Sequence, residues 1–379
     1  MSEAVTPFQL HIEDAALADL RQRLERVRWP DAAPVSDWSQ GAPLANIQAL
    51  IGHWREAYDW RRCEARLNAL GQYKTNLDGL DIHFLHVRSK HENALPIVLT
   101  HGWPGSVIEF LKVVEPLVDP ESHGGKAEDA FHVVIPSLPG YGFSGKPTQT
   151  GWSVQKIAAC WHELMARLGY RSYVAQGGDW GSVVATAMGA MRPEGLIAIH
   201  VNLPLVTPKD PGPNPSAREA KTLKQLDEHA RWGSAYSKLQ STRPQTLAYA
   251  LADSPAGQAA WIYEKFHEWA DHDGAVESVL TRDDLLDNIM LYWLTNSAAS
   301  SARLYWESFR GAFRAVELEL PVGCSIFPKD IYAAPRSWAE RCMRNLIYWS
   351  ELDRGGHFAA FEQPDLFVKE LRACFRLVR

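Results

Sequence analysis

The stretch Ser172-Tyr-Val-Ala-Gln-Gly-Gly-Asp-Trp-Gly-Ser182 carries a strand into a helix through Asp179, with Gly177 and Gly181 beside it. This is the form of a nucleophile elbow, G-x-S-x-G, with aspartate in the place of serine. Small flanking residues permit the strained turn that lifts a side chain out at the end of a strand. Taken alone, the stretch reads equally well as a Gly-rich turn with Asp179 capping the helix. A second stretch, His101-Gly-Trp-Pro-Gly105, follows the apolar strand Ile97–Thr100. In such an architecture that loop supplies one backbone N–H of an oxyanion hole, here from Trp103, and the residue after the nucleophile, Trp180, supplies the other. A third, Arg354-Gly-Gly-His-Phe358, follows the last strand, where the chain order nucleophile, acid, histidine places its histidine, His357. The acid should follow the strand Val322–Phe327. Asp330 is the carboxylate available there, with Glu351 and Asp353 as competitors.

An aspartate nucleophile selects its chemistry. A carboxylate with an ordinary pKa of about 3.9 is ionised at neutral pH and needs no base before it attacks. Against an ester or amide it would give an anhydride, a poor intermediate. At a saturated carbon bearing a leaving group it gives a stable ester. The histidine then works in the second step: His357, oriented by Asp330, deprotonates a water that attacks the Asp179 ester, and the oxyanion hole holds the tetrahedral intermediate. Epoxides and alkyl halides both fit. An opening epoxide demands O–H donors, a halide N–H donors such as indoles, and Trp103 and Trp180 do not discriminate between them.

The elements that position these residues follow from periodicity. Asp14 caps an expected first helix with Leu17, Leu20, Leu24 and Val27 on one face, stopped by Pro30; a second helical pattern runs over 45–70. A hairpin around Asp78-Gly79 leads into strands that alternate with helices, the pattern of a mostly parallel sheet covered on both faces. Five prolines between Pro204 and Pro215 break the alternation, and a helical, aromatic stretch follows to about Val316 before the α/β pattern resumes. The expected organisation is an N-terminal extension over 1–92, a core over 93–207 and 317–379, and an inserted helical cap over 208–316.

Composition bounds the partners. The chain has 379 residues, 46% hydrophobic and 22% charged, with 39 basic and 45 acidic side chains for a net charge of −6. Without concentrated positive charge, neither nucleic acid nor an anionic membrane is an expected partner. No window is long and apolar enough to span a bilayer, and the start of the chain lacks a signal-peptide pattern, so a cytoplasmic protein with no membrane anchor is expected. Five scattered cysteines, never spaced C-x-x-C, point to neither a disulfide framework nor a zinc site. No metal or organic cofactor is expected. The 15 tryptophans suit a deep apolar pocket, although packing of a large core accounts for most of them. Association into a homo-oligomer is left open.

As a set, these motifs resemble the epoxide hydrolases, in the microsomal-type branch that includes the juvenile hormone epoxide hydrolases. The likeness spans nearly the whole chain: a helical N-terminal extension, His101-Gly-Trp-Pro, Gly178-Asp-Trp-Gly181, Asp253-Ser-Pro-Ala-Gly257, Asp284-Leu-Leu and Arg354-Gly-Gly-His-Phe-Ala-Ala-Phe361. The resemblance implies an α/β-hydrolase core with an inserted cap. It also implies conversion of a small apolar epoxide and water to a vicinal diol through an ester on Asp179. Two cap tyrosines protonate the epoxide oxygen in that family, and the matching positions are Tyr236, in Gly233-Ser-Ala-Tyr, and Tyr305, in Ser301-Ala-Arg-Leu-Tyr. Without the resemblance both would read as core aromatics. Two departures stand out. The better-known mammalian members carry an N-terminal membrane anchor, which is not expected here, and many members use Glu where this chain has Asp330, which predicts a changed rate of ester hydrolysis within the same reaction class. A haloalkane dehalogenase is the alternative on the same nucleophile. A non-catalytic ligand-binding protein would require a broken catalytic set, and every position is filled.

Overall fold

The computed structural model describes residues 4–312 and 314–379. Apolar residues three and four apart build the first helices. In α1 (Asp14–Glu25) Leu20 and Leu24 are buried, and in α2 (Leu44–Glu56) Ile47, Leu50, Ile51 and Trp54. Next, α3 (Trp60–Ala69) begins afresh because the Asp59 carboxylate accepts the Arg61 N–H, satisfying a donor that only a new helix start leaves open. The single helix expected over 45–70 is therefore two. Asp14 does not cap α1 either. Glu13 holds that position with no side-chain capping bond, and the Asp14 carboxylate pairs instead with Arg61 on α3.

Nine strands form one sheet: β1 (Thr6–Pro7), β2 (Gln72–Leu77), β3 (Leu80–Val87), β4 (Leu95–Thr100), β5 (Phe131–Pro136), β6 (Tyr173–Gly177), β7 (Leu196–Val201), β8 (Val322–Ile326) and β9 (Leu346–Glu351). Their order is β1-β2-β3-β5-β4-β6-β7-β8-β9. Pairing is antiparallel as far as the β3–β5 edge and parallel from β5 to β9. The β2–β3 hairpin turns through Asp78 (φ 47°) and Gly79 (φ 81°), the two positive φ values that a tight turn between twisted strands requires. This hairpin lies within residues 1–92, yet it pairs with β5 and extends the sheet. β5 and β6 are buried at every residue, as parallel strands covered on both faces must be.

Around the sheet lie α4 (Val114–Val118), α5 (Val154–Arg167) and α6 (Trp180–Met191). After β7 the chain leaves the sheet for a helical cap, α7 (Ala217–Glu228), α8 (Ala235–Thr242), α9 (Pro244–Asp253), α10 (Pro255–Trp269), α11 (Arg282–Leu294) and α12 (Ala298–Ala312). It returns through β8, α13 (Arg336–Cys342), β9, α14 (Ala359–Glu362) and α15 (Pro364–Phe375). The N-terminal helices grip the cap: His53 Nε2 lies 2.7 Å from Asp283 Oδ1, and the Tyr58 hydroxyl donates to Asp287 Oδ1 at 2.7 Å, both acceptors on α11. Trp38 stacks on His267 of α10 with ring centres 3.5 Å apart. Among the described residues, no helix is long and apolar enough to cross a membrane.

This topology collects chemistry at one edge. The segments after β4, β6, β8 and β9 all leave the carboxyl ends of parallel strands, where α/β sheets bind ligands. They carry Trp103, Asp179, Asp330 and His357, and the cap supplies Tyr236 from α8 and Tyr305 from α12.

Candidate active site

Asp179 sits between β6 and α6 at φ 51°, ψ −127°, a conformation that costs a non-glycine residue energy and persists only where its surroundings impose it. The imposition comes from close packing. A Cβ on Gly181 would stand 1.9 Å from the Thr100 carbonyl oxygen, and one on Gly102 would stand 2.1 Å from Asp179 Oδ1. Hydrogen at both positions lets the elbow press against the loop after β4. There the Trp103 N–H donates to Asp179 Oδ1 at 2.8 Å. Trp180, with its N–H next to the carboxylate in sequence, opens α6. His101 shapes the same loop through contacts of Nδ1 with the Gly102 carbonyl and of Nε2 with the Leu138 N–H. Burial pushes its imidazole down to about 4, so it stays neutral at physiological pH.

The other oxygen of Asp179, Oδ2, lies 3.4 Å from His357 Nε2, and His357 Nδ1 is 2.6 Å from Asp330 Oδ1. That short contact assigns the Nδ1 proton to the Asp330 side and leaves Nε2 facing Asp179. The Ile331 N–H donates to the same Asp330 oxygen at 2.7 Å, which locks its rotamer. The competing acids lie elsewhere: Asp353 is exposed beside Arg354, and Glu351 accepts from the Trp349 indole. Burial disfavours the charged imidazole. Asp330, and then Asp179, outweigh that and hold His357 well above its ordinary value.

Above the carboxylate the two tyrosines close an aromatic enclosure. Tyr236 stacks on Trp103 at 5.0 Å and 9°, and Tyr305 meets the Trp180 ring edge-on at 4.8 Å. Their own rings lie 5.8 Å apart. Burial, then the Asp179 charge for Tyr236, and the neighbouring Tyr236 followed by Asp179 for Tyr305, raise both phenols well above their usual range. Both are therefore O–H donors at neutral pH. Among the described residues, no group of three or more His, Cys, Asp or Glu could hold a metal ion.

Sequence reasoning missed the residues that hold the histidine loop. Four consecutive backbone donors there all have acceptors. The Gly355 N–H donates to Asp271 Oδ2 (2.7 Å), the Gly356 N–H to Glu362 Oε2 (3.0 Å), the His357 N–H to the Trp269 carbonyl (2.9 Å) and the Phe358 N–H to Glu362 Oε1 (2.9 Å). Glu362 Oε2 also accepts the Asp271 N–H at 2.7 Å. The Trp269 ring lies 5.0 Å from His357 and 5.2 Å from Tyr236. One cap segment, 269–271, thus touches both the histidine and a ring-opening candidate. Glu109 was missed as well; it lines the cavity beneath Asp179 and His357. The spacing of Glu362 and Asp271 in the chain carries no sign of their meeting.

A mostly parallel sheet, an inserted helical cap and a carboxylate on a strained elbow facing a His–Asp pair define an α/β hydrolase. Residues 5–110 match the family described as "Epoxide hydrolase N terminus", and residues 96–240 match "alpha/beta hydrolase fold". A relative from Stigmatella aurantiaca (strain DW4/3-1) is 60% identical over 376 residues, covering 99% of this chain and 86% of its own. Epoxide hydrolase 1 of Oryctolagus cuniculus is 34% identical over 97% of this chain and 88% of its own. The solved structure of juvenile hormone epoxide hydrolase from Bombyx mori superposes with a TM-score of 0.90 at 30% identity, covering 99% of this chain and 95% of that one. That of Aspergillus niger epoxide hydrolase gives 0.89 at 33%, covering 99% and 97%. The chain belongs to the epoxide hydrolases. The dehalogenase alternative is not favoured.

Proposed function

We propose that this enzyme converts a small apolar epoxide to a vicinal diol in two steps through Asp179, His357, Asp330, Tyr236 and Tyr305. In the first, Asp179 Oδ2 attacks an epoxide carbon, the carbon–oxygen bond breaks, and the developing alkoxide takes a proton from Tyr236 or Tyr305. Oδ1 stays on the Trp103 N–H, where the carbonyl oxygen of the new ester then lies. In the second, a water gives a proton to His357 Nε2 as its oxygen bonds to Cγ of Asp179. The oxyanion is held by the N–H groups of Trp103 and Trp180. Collapse breaks the ester bond, and the departing alkoxide takes the proton from His357 and leaves as diol. The proton left on the re-formed carboxyl group restores the tyrosine.

Esterification itself prepares the base. While Asp179 is charged, two carboxylates flank His357 and raise its proton affinity; once Asp179 is an ester only Asp330 does, which favours the neutral ring that the second step uses as base. The observation that carries this reading is the divided Asp179 carboxylate, one oxygen on a backbone donor and the other facing His357, under two buried phenols. Trp103, Trp180 and Trp269 around it favour an apolar substrate.

Intact-mass measurement on His357→Ala tests it. With styrene oxide the protein should gain the whole epoxide mass, and Asp179→Asn should gain nothing. A butyl adduct from 1-chlorobutane without an epoxide adduct would overturn the reading in favour of halide displacement.

A further inference from the structure

A small cavity of about 20 Å³ adjoins the elbow, lined by Glu109, Gln176, Asn202, Asp179 and His357 among others. Its size suits one water molecule, for which about 10–15 Å³ is the least that serves. Its polarity is also suited. The Gln176 amide nitrogen donates to Asn202 Oδ1 at 2.5 Å, which uses one polar atom of each amide. The remaining two, Gln176 Oε1 and Asn202 Nδ2, have no partner although both side chains are almost wholly buried. One is an acceptor and the other a donor, and a buried polar atom left in that condition costs about 1–3 kcal/mol. A single water between them would satisfy both.

Glu109 reaches the same cavity from the 3₁₀ turn after the oxyanion loop. An ideal Cβ on Gly105 would lie 1.4 Å from Glu109 Oε1, so the glycine leaves open the very space that the carboxyl group fills. We infer that Glu109, Gln176 and Asn202 form the seat of the hydrolytic water, holding its oxygen between His357 Nε2 and the ester carbon of Asp179. The inference rests on the reading of Asp179 and His357 given above. Burial, opposed by His357 and reinforced by Asp179, raises the Glu109 carboxyl to about 8. In its neutral form it can either donate to the water or accept from it, in exchange with the two amides as the water turns toward His357 and Cγ. In the step itself the water proton passes to His357 Nε2 while the water oxygen bonds to Cγ, and Glu109 exchanges no net proton.

The prediction separates the two half-reactions. Glu109→Leu and Gln176→Met, which remove the polar groups, should each slow ester hydrolysis, by about a hundredfold where positioning of the water is lost. Alkylation with styrene oxide should change by less than about threefold, since epoxide opening uses none of these groups. Rapid-quench mass spectrometry should then show the epoxide adduct accumulating at steady state in both variants. Glu109→Gln, which keeps one donor and one acceptor, should retain far more of the hydrolysis rate than Glu109→Leu. Hydrolysis at the wild-type rate in both Glu109→Leu and Gln176→Met would overturn the inference, as would a loss confined to alkylation. If one variant does not fold, the other decides by the same readout. Absence of any adduct in His357→Ala would instead overturn the covalent reading, so the two failures are distinguishable.

Discussion

The proton affinity of His357 provides the sharpest test, because the proposed mechanism has it fall when Asp179 is esterified. Asp179→Asn mimics the ester by removing the charge and keeping a carbonyl oxygen in place. His357 Nε2 stands 3.4 Å from Asp179 Oδ2. At an effective dielectric of about 20, two unit charges at that separation attract by about 5 kcal/mol. Half of that, allowing for the dipole of the amide that replaces the carboxylate, is nearly a hundredfold in proton affinity at about 1.36 kcal/mol per tenfold. Asp330 remains in both proteins, 2.6 Å from Nδ1, so the titration of the variant should still be governed by that one carboxylate against burial.

The sign is definite. A neighbouring negative charge favours the imidazolium, so its removal lowers the pH at which His357 loses its proton. Stability follows the same sense. A histidine raised in the fold stabilises fully below its unfolded value of about 6.5 and loses that contribution as pH rises through the folded value; in Asp179→Asn the loss should come at lower pH. NMR titration of 13Cε1-labelled histidine measures the midpoint, with the His357 signal assigned by its disappearance in His357→Gln. A His357 midpoint in Asp179→Asn equal to or above that of the wild type would refute the charge-release argument.

Three further outcomes are expected. Tyr236→Phe with Tyr305→Phe should lower alkylation of Asp179 by about 10²–10⁴-fold, since both buried O–H donors are gone; full epoxide turnover in the double variant, measured by quench-flow, would refute their role. Glu362→Gln keeps the shape but turns an NH₂ toward N–H groups now paired with carboxylate oxygens. It should cost about 1–3 kcal/mol in urea unfolding and slow ester hydrolysis more than alkylation, whereas equal slowing of both steps would show no particular link to the histidine loop. Burial raises Glu109 to about 8 and, with its three backbone bonds and His357 opposing, Glu362 to about 7. Both carboxyls hold protons in the fold that the unfolded chain releases near pH 4.5. Wild-type stability should therefore fall as pH rises from about 4.5 to 8, and the Glu109→Gln, Glu362→Gln pair should flatten that slope in unfolding curves taken across the window.

Much of this was legible because the informative signals are local. Glycines beside Asp179, a Gly-Trp-Pro loop after a buried strand and a histidine after the last strand are short patterns with direct steric or topological meaning. The residues they mark do meet in space. Boundaries depended instead on partners: the break at Asp59 exists because a side chain caps a new helix, and Asp14 is drawn from its capping role by Arg61. Tyr236 and Tyr305 came from resemblance alone. Their burial does not separate them from core aromatics, since Tyr141 and Tyr263 are at least as buried.

The histidine loop shows why local pattern stops short of mechanism. Arg354-Gly-Gly-His-Phe358 contains two adjacent glycines, which by themselves leave the backbone poorly defined. Its order comes from four N–H groups bound by Glu362 on α14 and by residues 269–271 at the end of α10. The base is therefore only as well placed as the cap is seated, and the same cap segment packs Trp269 against Tyr236. In the proposed mechanism, a cap displaced by even an ångström would misplace the acid of the first step and the base of the second together. The clamps from His53 and Tyr58 to α11 lie outside the proposed chemistry, and through the position of the cap they would bear on both steps.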